Sequence, residues 1–149
     1  MSSVTLRFLA EPNTVSFGGK VNGGTIMKWI NDAGYACATS WAKRLCVTVS
    51  AGSIRFRRQI MIGDLVEVEA RLAYTGTTSM NISVEVRAGD MRTGEMQQIT
   101  ECLTVFVAVD PDGQTIPVPV WLPETPGDIA LAQHVKAYLD AARAVHPGA

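Results

Sequence analysis

Val21-Asn22-Gly23-Gly24-Thr25-Ile26-Met27-Lys28-Trp29-Ile30-Asn31-Asp32-Ala33-Gly34-Tyr35 reads as a glycine turn feeding a long, largely apolar helix, with two adjacent polar residues part-way along it. Gly23 and Gly24 reach backbone angles closed to other residues, and the helix they open leaves its first amide N–H groups without internal partners. Those donors, backed by the positive end of the helix dipole, suit a carbonyl oxygen that gains negative charge during a reaction. An ordinary turn uses the same two residues, so the glycines alone define no activity.

A helical advance of about 100° per residue separates the two polar positions. Asn31 shares its face with Met27, Gly34, Tyr35 and Ala38, whereas Asp32 lies with Thr25, Lys28, Ala36 and Thr39. The bland reading of Asp32 is an i, i+4 ion pair with Lys28. For Asn31 it is a buried amide bonded to a neighbouring element, and the alternative is a functional group. Ile26, Ile30, Ala33 and Cys37 form one apolar stripe, and Met27, Gly34 and Ala38 a second. The helix is therefore expected to run from about Thr25 to Trp41, mostly buried, with Gly34 where the sheet comes close.

Working outward, a short strand near Val4 to Phe8 precedes a loop rich in Gly, Asn and Pro. After the helix, Leu45 to Ser50 and Ser53 to Phe56 are β-rich. Val66, Val68, Ala70 and Leu72 then alternate with charged residues, as do Met80, Ile82, Val84 and Val86 with polar ones, which marks half-buried strands with one polar face. Gly63-Asp64 and Thr75-Gly76 are turn signals, and Leu103 to Val109 supplies a last strand. One apolar helix followed by about five antiparallel strands implies a sheet curled around that helix. The stretch from Pro117 to Asp128 holds four of the seven prolines. Beyond it, Asp128 reads as the N-cap of a second helix, Ile129 to Val145, packed on the outside. Its His134, and His146 just after it, read as solvated.

The 149 residues suit about one domain, and a net charge of −1 leaves no electrostatic footprint for nucleic acid. Cys37, Cys46 and Cys102 lack zinc-finger spacing and leave one unpaired in any disulfide scheme, which points to a reducing compartment. No signal peptide opens the chain and no apolar run is long enough to span a membrane. A cytoplasmic protein that touches neither membrane nor nucleic acid is expected.

The Gly-Gly-Thr-Ile-Met-Lys turn and helix resemble those of the hotdog-fold acyl-CoA thioesterases of the bacterial YciA and brain acyl-CoA hydrolase type. Three further segments carry the resemblance, which covers roughly Val15 to Pro119: Ile54-Arg55-Phe56 leading into Ile60-Met61-Ile62-Gly63-Asp64, then Thr75 to Met80, then Thr104 to Asp110. It implies an α+β hotdog fold over a single domain spanning residues 1–149, with the core at about 4–119 and a tail at 120–149. It also implies a homodimer with one joined sheet, assembled further into a hexamer, a trimer of dimers, with acyl-CoA bound across the dimer interface. No metal or cofactor is implied, coenzyme A entering only as part of the substrate.

In that family the helix carries a catalytic aspartate, usually followed by glutamate, eight residues after the first glycine of the turn. Counting from Gly23 lands on Asn31, and Asp32 then takes the glutamate position. Asn22 fills a place often held by histidine, Lys20 one where some members have a catalytic asparagine, and Gln59 replaces a common proline. An aspartate can remove a proton from water or attack the carbonyl itself, whereas an asparagine amide orients water but is no base near neutral pH. The resemblance thus implies Asn31, Asp32, Gly24 and Ser79 as catalytic positions. Asn22, Gly23, Thr25 and Thr78 line the substrate, Thr78 and Ser79 arriving from the partner subunit. The Gly24 and Thr25 amides polarise the carbonyl, and Arg55, Arg57 and Arg58 are candidates for the CoA phosphates, with Arg55 and Arg57 on one face of a strand. The expected activity is acyl-CoA hydrolysis weakened by Asn31. The alternatives are an acyl-CoA-binding protein with little catalysis, and a hotdog dehydratase or hydratase, which needs a core histidine that the chain lacks outside its tail.

Overall fold

The alternation that marks strands in the sequence is the alternation that buries them. The computed structural model describes residues 2–11, 19–52 and 54–145. Along them run β1 (Ser3–Leu9), α1 (Gly23–Ala42), β2 (Cys46–Ala51), β3 (Leu65–Thr75), β4 (Ser79–Gly89), β5 (Met96–Val109), β6 (Thr115–Ile116) and α2 (Pro126–Val145). The strands form one antiparallel sheet in the order β1-β3-β4-β5-β2, with β6 paired to the end of β5. Val68 stands opposite Val86 and Ala70 opposite Val84, so the fully buried residues of β3 and β4 make continuous rows on one face. On that face lies α1, held through Ile26, Ile30, Ala33, Gly34, Cys37, Ala38 and Ala42.

The tightest approach is at Gly34. A Cβ there would stand 2.8 Å from Phe106 Cε2 and 3.2 Å from Thr104 Oγ1, and Phe106 has no exposed surface. Phe8 meets Trp29 edge to face, with ring centroids 4.8 Å apart, which fixes the opposite flank of the helix. The helix stops at Lys43, whose left-handed backbone (φ 56°) lets its N–H donate to Thr39 O at 2.8 Å.

Several boundaries differ from those expected. Helix α1 opens at Gly23, two residues before Thr25, because the Asn22 side chain caps it. Its burial is one-sided: Met27 and Tyr35 keep 37% and 38% of their surface exposed, so the second stripe is buried only at Gly34 and Ala38. Ile54, Arg55 and Phe56 form no strand, and Ser53 lies outside the described residues. Their β-rich composition lacks a ladder to join, since the segment is tied to β5 by the single bonds Gly52 N–H to Leu103 O and Arg57 N–H to Ile99 O. Strand β5 begins at Met96 rather than Leu103, its polar first half being paired to β4. The loop at 12–18 falls outside the described residues.

Helix α2 packs outside the sheet, but Asp128 is not its cap. Thr125 is: its Oγ1 accepts from Asp128 N–H at 3.1 Å, and Pro126 takes the first helical position, where no N–H is needed. The Asp128 carboxylate instead meets Arg71 at 2.9 Å, clamping the helix start to β3. On the same outer face Arg87 sits among Glu85, Glu67 and Glu69 at 2.8, 3.2 and 3.5 Å. His134 is exposed, and His146 lies outside the described residues. Among the described residues no helix is long and apolar enough to cross a membrane.

Candidate active site

The glycine turn is built as a capped helix start. Asn22 Oδ1 accepts from the Thr25 N–H at 2.8 Å and from the Thr25 hydroxyl at 3.0 Å. The first intrahelical bond runs from Ile26 N–H to Asn22 O at 3.3 Å. Asn22 therefore has a structural task that its sequence position alone did not reveal, and it occupies the Thr25 amide. The Gly24 N–H, just ahead of it, keeps its place at the positive end of α1. A Cβ on Gly23 would lie 3.6 Å from Phe56 Cε2, so the Phe56 ring covers the turn.

Two turns along α1, about 10 Å at the ordinary helical rise, Asn31 lies on the exposed side. It is not a buried amide. Its Oδ1 accepts a 2.7 Å hydrogen bond from the Thr48 hydroxyl of β2. The register of β2 against β5 shifts between Thr48, opposite Phe106, and Ser50, opposite Val105, and such bulges re-aim side chains. Thr48 went unnoticed in the sequence. The signal was a hydroxyl residue between two exposed valines on a strand, which became informative only with the helix beside it. Asp32 faces away and pairs with Lys28 at 2.8 Å, both well exposed.

Asn31, Met27 and Tyr35 share an exposed strip of α1, and next to it Val47 and Val49 of the edge strand keep 45% and 60% of their surface. Thr78 and Ser79 stand where β4 begins, with the Gly76 N–H donating to Ser79 O at 2.9 Å. Within one chain they do not reach Asn31. Met80 pairs with Phe106, as does Thr48, so that row faces α1, and Ser79, one residue earlier, leaves from the other face.

Arg55 and Arg57 do not share the strand face expected of them, because no strand forms there. The Arg58 guanidinium donates to Gln97 Oε1 beside a hollow of about 620 Å³ that also contains Asp64, Asp90, Arg92 and Glu95. Charges of both signs meet in it; the Arg92 side chain holds the Asp90 carboxyl down to about 2. Cys37 is fully buried in the core, and that burial pushes its thiol up to about 11. Among the described residues no group of His, Cys, Asp and Glu is arranged to hold a metal ion.

A central helix opened by a glycine turn and wrapped by one antiparallel sheet, with polar groups on the helix side left open beside the edge strand, defines a hotdog thioesterase. The chain belongs to the thioesterase superfamily, whose family profile matches residues 18–95. It is 36% identical over 120 residues to the acyl-CoA thioester hydrolase YciA of Salmonella typhimurium, covering 78% of this chain and 90% of that one. An apo-hexameric acyl-CoA thioesterase superposes with a TM-score of 0.91 at 28% identity, covering 99% and 94% of the two chains. An acyl-CoA hydrolase from Staphylococcus aureus, solved with butyryl coenzyme A, coenzyme A and coenzyme A disulfide, gives 0.88 at 25% identity over 95% and 87%.

Proposed function

We propose that the chain is an acyl-CoA thioesterase that hydrolyses acyl-CoA to a free acid and CoA, at a rate limited by Asn31. The observation that carries this reading is the Asn31–Thr48 pair on the open side of α1, two turns from the Gly24 amide, in a thioesterase-superfamily chain. The Gly24 N–H receives the thioester carbonyl oxygen. Water adds to the carbonyl carbon, the C–S bond breaks, and the sulfur leaves with a proton as the CoA thiol. Asn31 binds and orients but takes up no proton, and losing a positioned base typically costs about 10²- to 10⁴-fold in rate.

That same deficit supports a second reading, an acyl-CoA-binding protein that has kept the pocket and lost most catalysis. Affinity by calorimetry and turnover by thiol release, measured on one sample across acyl lengths, decide between them. Micromolar affinity with slow but enzyme-dependent release supports the thioesterase. Affinity with release no faster than the buffer control supports the binding protein, and the absence of both overturns the two together.

The site is read as shared between subunits, with the partner subunit's Thr78 and Ser79 completing it. Strand β2 is the sheet edge, and Leu45 just ahead of it and Val47 and Val49 within it are exposed. Such an edge is normally covered or paired. A homodimer joined through this edge is proposed, as the unit of a trimer of dimers. Light scattering at micromolar concentration is expected to give a dimer or larger, and a folded monomer would refute the shared site.

A further inference from the structure

We infer that the hollow between α2, the end of β3 and the segment 117–123 binds a free fatty carboxylate, its alkyl chain against apolar walls and its head at Lys136. The space exists because few points hold α2 to the outer face of the sheet. Arg71 clamps Asp128 at 2.9 Å, and of the described residues of α2 only Val135 is buried. Between these anchors both elements present alanine to the gap, Ala73 from β3 and Ala132 from α2. A volume of about 390 Å³ stays open there, within the usual range of ligand pockets, roughly 300–1,000 Å³. Tyr74 borders it as well: it stands opposite Asn81, the residue after Met80, so its side chain leaves from the face turned away from α1.

The segment between β6 and α2 supplies a further wall. Val118 N–H donates to Thr77 O at 2.9 Å and Trp121 N–H to Thr75 Oγ1 at 3.1 Å, which pins the segment beside the end of β3 with Val118 and Trp121 buried. Trp121, Leu122 and Pro123 line the hollow from this segment, and Ile129 lines it from α2. Lys136 is the one charged residue on its border: no carboxylate lines the space, and among the described residues Lys136 has no ion pair. A hydrocarbon would leave that ammonium without a partner, and a small anion would leave the apolar walls in water. A carboxylate on an alkyl chain uses both. Lysine suits the rim because its stem lies along apolar surface while its head stays hydrated, so the carboxylate is paired without being buried. Burial of the chain supplies the affinity, and the ion pair selects the head.

The site stands whether or not the chain hydrolyses acyl-CoA, although a free carboxylate is what that reaction releases. Dodecanoate, kept monomeric, is titrated into the full-length native chain isotope-labelled at its tryptophan indoles. The indole resonance of Trp121, identified by its loss in Trp121→Phe, is followed by nuclear magnetic resonance. The expected result is a saturable shift of that resonance, with affinity weakened about 3-fold in Lys136→Gln, as for an exposed ion pair, and restored in Lys136→Arg. Lys136 is exposed, so its exchange does not threaten the fold. Ala132→Leu, whose larger side chain fills the hollow, is expected to abolish the shift. Equal affinity in Lys136→Gln, or dodecanol binding as tightly as dodecanoate, overturns the assignment of a carboxylate ligand. Dodecanoate that leaves the Trp121 resonance in place, whether bound elsewhere or not bound at all, overturns the site. A Trp121 resonance that moves with protein concentration and not with dodecanoate also overturns it, and gives the hollow to a second copy of the chain. None of these outcomes touches the thioesterase reading, whose helix lies on the other face of the sheet.

Discussion

Asn31→Asp is expected to raise acyl-CoA turnover at least ~10-fold, the low end of what a positioned general base supplies, with affinity changed far less than rate. The existing geometry makes the substitution effective. The Thr48 hydroxyl, 2.7 Å from Oδ1, would hold one carboxylate oxygen in the same place. The other oxygen would then replace the Nδ2 donor and present an acceptor where none exists, so that a water between it and the carbonyl carbon gains a proton acceptor. The Gly24 amide, two turns away, would keep its proposed place at the carbonyl oxygen in this variant. Asp32→Asn in the native background should matter little, since Asp32 is exposed and occupied by Lys28 at 2.8 Å. Brisk native turnover, abolished by Asp32→Asn and indifferent to Asn31→Asp, would show that the neighbouring carboxylate does the work.

What the sequence made legible is what depends on a period. The turn and helix from Gly23, and the alternating faces of β3 and β4, follow from apolar spacing that a single chain must satisfy to bury its core. Readings that failed rested on composition or on one residue. Ile54-Arg55-Phe56 has strand chemistry but no ladder. Asp128 has cap chemistry, but Thr125-Pro126 ahead of it supplies the cap, and the proline was the overlooked signal. The polar start of β5, Gln97 and Gln98 among it, hid a strand because its partner β4 and not its own hydrophobicity holds it.

The candidate site was less legible. Counting from Gly23 singles out Asn31 as a candidate, yet only the structure reveals that β2 brings Thr48 to it, because that contact spans loops of no fixed length. The period places Met27 in a buried stripe with Gly34 and Ala38, whereas the sheet covers only one side of α1 and leaves Met27 exposed. Period finds an apolar stripe; it does not say whether this chain or a second copy covers it.

The second large effect concerns stability. Gly34→Leu is expected to destabilise the fold by about 1–3 kcal/mol or more, the usual cost of overpacking a tight core. Even a methyl group at this position would sit 2.8 Å from Phe106 Cε2 and 3.1 Å from Cζ, closer than carbon atoms pack. Phe106 cannot yield, being fully buried on β5 between β4 and β2, opposite Met80 and Thr48. Moving the helix outward instead would draw Asn31, one turn earlier, away from Thr48, so the substitution should damage the site as well as the core. Urea denaturation is expected to show a lower midpoint with an unchanged slope. An unchanged midpoint would mean that the sheet does not clasp the helix at Gly34, and the wrapped-helix architecture on which the site depends would have to be abandoned.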